Sequence, residues 1–158
     1  MIARVISGGQ TGVDRAALDM AIRLDIPCGG WCPRGRLAED GVISPVYPLV
    51  ETPSSQYEER TEWNVRDSDG TLVLTWGPPS EGTGYTVFMA RRHGRPCLVV
   101  DLAENPTVAE AVAWIADEKI RVLNVAGPRA SKCPRIYDFA RGYLEQLFIA
   151  AGKGRTSS

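Results

Sequence analysis

Short apolar runs alternate with amphipathic stretches along the sequence. The apolar and β-forming runs predict six strands, over residues 3–7, 26–31, 47–51, 71–76, 96–101 and 121–126. Apolar residues at helical spacing predict helices over 12–24 and 134–150. Three more helices are expected to begin at Ser55, within the 77–86 loop with Tyr85 on the core side, and at Asn105. Strands that alternate with helices in this way are typical of a parallel sheet covered on both faces.

The pattern therefore predicts an α/β protein with a Rossmann-like, doubly wound fold. We expect a mostly parallel six-stranded sheet of order 3-2-1-4-5-6 with helices on both faces, formed by a single domain over residues 1–151. Residues 152–158 are small and polar and are expected to form a flexible C-terminal tail. In this order the first and fourth strands are neighbours, so the loops that follow them would meet at the switch point.

The first loop, Ser7–Gly12, joins the first strand to the first helix and is the main candidate for a binding site. Its adjacent glycines permit a sharp turn and a close approach of a ligand to the backbone. Thr11 and Asp14 have the spacing of a capping box, so Thr11 is expected to cap the helix. Free N–H groups and the positive end of the helix dipole favour a phosphate there. The alternative is a tight turn between strand and helix that binds nothing.

Two further glycine-containing loops follow predicted strand ends, so all three loops should lie at one edge of the sheet. The second loop is Gly77–Thr86 and the third loop is Gly127–Ser131. Arg60 and Asn64 share one face of the predicted second helix. That face either lines the ligand site or is exposed to solvent.

Composition excludes several classes of protein. The chain has 158 residues, 44% of them hydrophobic and 23% charged, with a net charge of −1, so nothing indicates a nucleic-acid or membrane-surface binder. Apolar runs are too short for a membrane span and no signal peptide is apparent, which favours the cytoplasm. The cysteines Cys28, Cys32, Cys97 and Cys133 lack the spacing of a zinc site and are expected to be reduced, buried thiols, although Cys133 follows the third loop and could reach a ligand.

Two common nucleotide-binding motifs are missing from the first loop. It lacks the lysine followed by serine or threonine of a Walker A motif, and its glycines do not have the Gly-x-Gly-x-x-Gly spacing of a dinucleotide site. A set of backbone N–H groups at helix N-termini remains. Arg15, Arg34, Arg60 and Arg129 are candidates to add charge-assisted hydrogen bonds to phosphate, or are surface side chains. Asp14 and Asp40 could bind ribose or purine groups, or serve only in caps and turns.

The sequence resembles the molybdenum carrier family over nearly its whole length. The motifs that carry the resemblance are Ser7–Asp14, Gly30–Arg36, Glu39–Gly41, Arg60–Thr61 with Asn64–Val65, Ser68–Thr71 and Gly127–Ser131. This family is similar to the lysine-decarboxylase-like or phosphoribohydrolase group, within a superfamily of Rossmann-like proteins that bind nucleotide-like ligands. The resemblance implies a nucleotide-like or pterin-phosphate ligand, with molybdenum cofactor (molybdopterin) as the named candidate, and a homo-oligomer.

The phosphoribohydrolases carry the motif Pro-Gly-Gly-x-Gly-Thr-x-x-Glu, which falls on residues 78–86 of this chain. Pro78, Gly82 and Thr83 match it, but Thr86 stands where those enzymes have their catalytic glutamate. A hydroxyl cannot replace a carboxylate in stabilising an oxocarbenium-like centre. The resemblance therefore favours a phosphate site without that catalysis, unless Glu81 or Asp14 supplies the carboxylate.

These observations predict a binding or carrier protein for a small phosphorylated, nucleotide-like ligand, with molybdenum cofactor as a candidate. A nucleotide N-glycosidase is the alternative, and an interaction domain with vestigial loops is a third. Neither nucleic acid nor membrane is expected as a partner, and no metal ligands or catalytic residues are assigned. The candidate ligand-binding residues are Ser7, Gly8, Gly9, Gln10, Thr11, Gly12, Asp14, Arg15, Arg34, Arg60, Asn64, Gly82, Thr83, Thr86, Gly127, Arg129 and Ser131.

Overall fold

A computed structural model describes residues 1–152 and has an α/β fold with a parallel central sheet. The strands are β1 (Arg4–Ile6), β2 (Cys28–Gly29), β3 (Trp31–Cys32), β4 (Leu37–Ala38), β5 (Gly41–Val42), β6 (Val50–Glu51), β7 (Gly70–Thr75), β8 (Cys97–Asp101) and β9 (Val122–Ala126). The helices are α1 (Val13–Arg23), α2 (Tyr57–Arg66), α3 (Glu81–Arg92), α4 (Ala109–Asp117) and α5 (Ile136–Ala151), with a 3₁₀ turn at Leu102–Glu104.

The main sheet has five strands in the order β2-β1-β9-β7-β8, so the predicted six-stranded sheet of order 3-2-1-4-5-6 is wrong. The last strand, β9, lies between β1 and β7 and pairs in parallel with both. The first and fourth predicted strands are therefore not neighbours, and the third loop lies between the first and second loops. Local sequence could not reveal this, because the register Ile6↔Asn124 joins residues far apart in the chain.

The predicted second strand divides at Gly30, whose φ of 129° turns the backbone. Its first half, β2, joins the main sheet, while its second half, β3, pairs with β6 in a separate two-stranded sheet. The predicted third strand, 47–51, therefore lies outside the main sheet. Arg36 stabilises this region, since its guanidinium donates hydrogen bonds to the carbonyl oxygens of Ile43, Ser44, Tyr47 and Leu49.

Helices cover both faces of the main sheet. Helices α1, α4 and α5 share one buried cluster with Leu72 and Leu74 of β7 and with Leu123 of β9. Helices α2 and α3 pack together through a second cluster of Val65, Met89 and Ala90. Strand β7 is buried along its whole length. A parallel strand covered by helices on both faces has no solvent face, which explains why its apolar residues are consecutive and do not alternate with polar ones.

Two predicted helix starts are wrong. Asn105 has a left-handed φ of 49° at the end of the 3₁₀ turn, and α4 begins only at Ala109. Helix α2 begins at Tyr57 and has no side-chain cap. The hydrogen bonds expected between Ser55 and Glu58 are replaced by contacts of the residues on either side of them, Ser54 and Glu59. Ser54 Oγ accepts from Gln56 N, and Glu59 Oε1 accepts from Ser54 N.

The two ends of the described chain lie side by side. Ile2 N donates to Ala151 O at 2.8 Å, and Ile2 forms a parallel bridge with Gly152. The rest of the predicted tail, 153–158, lies outside the described residues. No helix within residues 1–152 combines the length and the apolar character needed to cross a membrane.

Candidate functional site

A cleft of about 400 Å³ opens at the carboxyl ends of β1, β9 and β7. In parallel α/β sheets this edge is where ligands bind. All three glycine-containing loops contribute to the cleft, together with one face of α2. The lining residues are Gly8, Gln10, Asp14, Tyr57, Glu58, Arg60, Thr61, Asn64, Ser80, Glu81, Gly82, Thr83, Tyr85, Thr86, Asn124, Val125, Ala126, Gly127, Pro128, Arg129 and Lys132.

A buried ion pair connects α1 with α2 beside the first loop. Arg60 Nη1 donates to Gly8 O at 2.9 Å and lies 3.6 Å from Asp14 Oδ2. The Arg60 guanidinium also lies over the Tyr57 ring, 5.1 Å from its centroid. A Cβ on Gly8 would lie 2.3 Å from Arg60 Nη1, so glycine is required for this close approach. The structure thus brings together three of the predicted site residues.

Asp14 is a carboxylate held inside the cleft. Burial raises the pKa of Asp14 above its usual value of 3.8, against the opposing effects of the Arg60 charge and the Gln10 backbone hydrogen bond. That hydrogen bond runs from Gln10 N to Asp14 Oδ2 at 3.3 Å. Asp14 therefore offers the cleft an acceptor whose charge Arg60 balances only in part.

The side chain of Gln10 has a fixed orientation. Its Oε1 accepts hydrogen bonds from Thr11 N at 3.0 Å and Glu39 N at 2.8 Å. Because both of these partners are donors, Oε1 and Nε2 cannot exchange places. Nε2 is buried and has no hydrogen-bond partner among the described residues, and the same holds for Nε of Arg60. Buried donors without an acceptor are uncommon in folded proteins.

The predicted capping role of Thr11 is wrong. Gly12, with φ 81°, is the N-cap of α1, and no side chain caps the helix. The Thr11 hydroxyl instead contacts Glu39 Oε2 and accepts from Ala130 N at 3.0 Å. The positive φ of Gly12 turns the chain so that Thr11, the preceding residue, points away from α1 and faces the third loop.

Glu39 connects three loops beside the cleft. Its carboxylate accepts from Thr11 Oγ1, from Ser131 N at 3.1 Å and from Ser131 Oγ at 2.5 Å, and Arg129 Nε lies 3.5 Å away. Partial desolvation opposes ionisation, but the hydrogen bonds from Ser131 and Thr11 outweigh it and lower the pKa of Glu39. Thr11 and Ser131 therefore hold loops together and do not line the cleft.

The other predicted site residues that do not line the cleft make structural contacts or are exposed. Arg15 pairs with Asp40 at 3.0 Å and donates to Gly9 O. Ser7 is fully buried and donates to Val125 O at 2.7 Å. Arg34 is exposed, and Gly9 and Gly12 make backbone turns.

The N-terminus of α3 forms another wall of the cleft. The helix has no side-chain cap, and the backbone N–H groups of Glu81, Gly82 and Thr83 have no acceptor within residues 1–152. Such groups at a helix start bind anions. Thr86 is buried, and its hydroxyl donates to Gly82 O at 3.3 Å. This places the threonine that replaces the phosphoribohydrolase glutamate in the wall of the cleft.

Asn64 lines the cleft as a structural group as well. Its Oδ1 accepts from Trp31 N at 2.8 Å and its Nδ2 donates to Trp31 O at 3.0 Å. These two hydrogen bonds fix α2 against β3, and α2 in turn carries Arg60. Asn64 therefore positions α2, and Arg60, one turn earlier on that helix, contacts the first loop.

Several lining residues were not selected from the sequence. Tyr57, Thr61 and Tyr85 extend the predicted polar face of α2 and the start of α3, while Asn124 and Lys132 come from β9 and the third loop. Asn124 had a signal, because a polar residue stood within a buried apolar strand. Lys132 had none, since a basic residue after a loop is usually a solvent-exposed side chain.

The cysteines do not line the cleft. Cys133 packs against the main core, and all four thiols are free. Within residues 1–152, no three His, Cys, Asp or Glu side chains form a group that could hold a metal ion.

Comparisons with known proteins agree with this architecture. The model of the circularly permutated YpsA SLOG family matches residues 5–148. The chain is also similar to a crystal structure from Syntrophus aciditrophicus SB, of a protein called "Putative molybdenum carrier protein". Identity is 48% over 92% of this chain and 94% of that one, with a TM-score of 0.88. No curated protein matches the sequence.

Proposed function

Because the chain belongs to the circularly permutated YpsA SLOG family, we propose that it binds a small phosphorylated, nucleotide-like ligand in the cleft. The observation that carries this proposal is the combination of an uncapped helix start with buried donor groups in one cavity. A volume of about 400 Å³ is in the range of small-molecule sites. The proposed role is binding or carriage of the ligand.

The ligand phosphate would bind at the N-terminus of α3. The free N–H groups of Gly82 and Thr83 would donate to its oxygens, and the helix dipole would favour its charge. Arg129 and Lys132 line the cleft from the third loop and would supply charge-assisted hydrogen bonds. The sequence alone predicts the phosphate at the first loop, whereas the proposed phosphate site lies at the second and third loops of the same cleft.

The ring of the ligand would lie between the phosphate site and the first loop. Tyr57 and Tyr85 line this part of the cleft and offer flat apolar surfaces. The Arg60 guanidinium already lies over one face of the Tyr57 ring, so a ligand ring would stack on the guanidinium or on Tyr85. Planar heterocycles stack on such groups.

The molybdenum cofactor is the candidate ligand that the Syntrophus aciditrophicus relative suggests. It combines a pterin with a phosphate, which are the two groups that the cleft would hold. In this proposal the protein carries the cofactor through its organic part, with residues from the first loop, α2 and α3. The molybdenum cofactor is then a cargo.

A second candidate function is cleavage of an N-glycosidic bond in a nucleotide. Two carboxylates favour it, since Asp14 and Glu81 both line the cleft. Either one would have to reach the ribose, because Thr86 occupies the position of the phosphoribohydrolase glutamate. Release of free base from nucleoside monophosphates by the wild-type protein, and its loss in Asp14→Asn or Glu81→Gln, would support this function over simple carriage.

The binding proposal is tested by titrating the purified protein with nucleoside monophosphates, with molybdopterin and with the matching nucleosides. We expect the phosphorylated compounds to raise the melting temperature and the nucleosides to have much less effect. The double variant Arg129→Ala/Lys132→Ala should bind at least about tenfold more weakly, whereas Arg23→Ala, an exposed cation on α1, should bind as the wild type does. A lack of stabilisation by every phosphorylated compound would refute the proposal.

A further inference from the structure

We infer that the deep end of the cleft selects a heterocycle with a lactam edge, in which a ring carbonyl is followed by a ring N–H and an exocyclic amine. Guanine and pterins share this 2-amino-4-oxo edge, whereas adenine lacks it. The inference rests on the proposed function and concerns the ring rather than the phosphate. The residues that carry it are Gln10, Asp14 and Arg60.

The three residues are neighbours, because the Asp14 carboxylate lies against both the Gln10 backbone N–H and the Arg60 guanidinium. Asp14 Oδ2 lies 3.3 Å from Gln10 N and 3.6 Å from Arg60 Nη1. All three residues line the cleft, and their exposed fractions are 6% for Gln10, 7% for Asp14 and 7% for Arg60. Polar groups this deeply buried need partners, so their unused hydrogen-bonding capacity indicates what a ligand must present.

The cluster offers two unused donors. Gln10 Nε2 is a donor by necessity, because Thr11 N and Glu39 N both occupy Oε1. Arg60 Nε is a donor in every protonation state that the side chain adopts in proteins. Neither nitrogen has a partner among the described residues. A ring carbonyl oxygen accepts two hydrogen bonds, so a carbonyl bound here would supply the acceptor that these donors lack, whereas an exocyclic amine in the same place would present another donor.

The cluster also offers one acceptor group. The Asp14 carboxylate has two oxygens, and the structure gives Oδ2 one backbone hydrogen bond and one distant guanidinium contact. A ring N–H and an adjacent amine can donate to a carboxylate in parallel, and bidentate pairs of this kind are strong. Burial raises the pKa of Asp14, so two N–H donors from a ligand would compensate the carboxylate for its lost hydration.

A phosphate does not fit this end of the cleft. The Asp14 carboxylate would repel it, and the neighbouring Arg60 guanidinium is already engaged with Gly8 O and with Asp14 itself. The α3 N-terminus, with Arg129 and Lys132, is the better anion site in the same cleft. The two ends of the cleft thus differ in chemistry, one suited to a phosphate and the other to a lactam edge.

The test compares four nucleoside monophosphates whose phosphate and sugar are the same. Guanosine monophosphate has the complete edge, inosine monophosphate lacks the amine, xanthosine monophosphate has a carbonyl in place of the amine, and adenosine monophosphate lacks the lactam. Calorimetric titration should rank guanosine first, with adenosine and xanthosine monophosphates on the order of 10- to 100-fold weaker. A pterin that carries a phosphate side chain should bind in the same cleft and compete with guanosine monophosphate. Whichever of the two binds more tightly indicates whether the ligand is a pterin or a nucleotide.

A variant that gains affinity makes the test independent of folding defects. In Asp14→Asn the amide can still accept from Gln10 N, while its NH₂ faces the ligand as a donor. We expect this variant to prefer xanthosine monophosphate over guanosine monophosphate. Gln10→Glu keeps the acceptor for Thr11 N and Glu39 N and removes the free donor, so it should weaken guanosine and inosine monophosphates about tenfold or more.

The two possible failures are distinguishable. If none of the four monophosphates binds, the proposed function fails. If adenosine monophosphate binds as tightly as guanosine monophosphate, or if Asp14→Asn leaves the ranking unchanged, the phosphate site stands and the lactam edge is refuted. Arg23→Ala, an exposed position on α1 outside the cleft, is the control and should keep the wild-type ranking.

Discussion

Gly12 is a residue at which we expect a single added methyl group to lower the stability strongly. Its φ of 81° and ψ of −128° belong to a region that L side chains rarely adopt. A Cβ there would lie 2.3 Å from Pro128 O and 3.1 Å from Ala130 N, both of them backbone atoms of the third loop. Relief requires a shift of the loop itself, since no flexible side chain can yield.

The cost of Gly12→Ala can be worked out from two contributions. Backbone strain at such a position is about 1–3 kcal/mol. Moving Pro128 O away breaks its hydrogen bond from Val13 N, now 3.2 Å long, for about 1 kcal/mol more. The free energy of unfolding should fall by about 3 kcal/mol, which corresponds to a melting temperature lower by roughly 6–12 °C for a chain of this size.

Equilibrium urea unfolding followed by circular dichroism measures this change. Gly84→Ala is the matched control, because Gly84 lies inside α3 with no atom within 4 Å of the added Cβ and without a positive φ. That substitution should leave the stability unchanged or raise it by up to about 1 kcal/mol. If Gly12→Ala loses less than about 1 kcal/mol, the junction of the first and third loops is not as tight as the structure indicates.

Three further changes test other contacts. Gly8→Ala should displace the Arg60 guanidinium and weaken guanosine monophosphate binding by calorimetry while lowering stability by about 1–3 kcal/mol, and unchanged affinity would contradict the role of Arg60. Glu39→Gln should lower the urea midpoint at neutral pH. Because folding lowers the pKa of Glu39, its contribution is complete above the usual value of 4.5 and is lost as the pH falls through the lowered value, so the two midpoints should converge in acid. Tyr137→Phe should cost about 1–2 kcal/mol by removing a 2.5 Å hydrogen bond to Asp19 Oδ2, and a Tyr137→Phe/Asp19→Ala double variant should lose no more than Asp19→Ala alone.

The sequence predicted the class of the fold and much of the candidate site. Its periodicities indicated the α/β alternation, and the apolar face of α1 from Val13 to Ala21 is buried as expected. The helical spacing of Arg60 and Asn64 predicted a polar face on α2, and both residues line the cleft. Such patterns are local, since a helix fixes which residues share a face whatever surrounds it.

Tertiary structure decided which strands are neighbours, and therefore which loops meet. Hydrogen bonds between β9 and both β1 and β7 exist only in the folded chain, and they insert the third loop where the sequence predicted direct contact between the first and second loops. That insertion turns Thr11 from a helix cap into a partner of Glu39 and Ala130. The fold also brings Glu39 N to the Gln10 side chain, so the amide oxygen is bound while the amide nitrogen has no partner within residues 1–152. A sequence states that a glutamine is present, but only the neighbours that satisfy one end of its amide determine what the other end can bind.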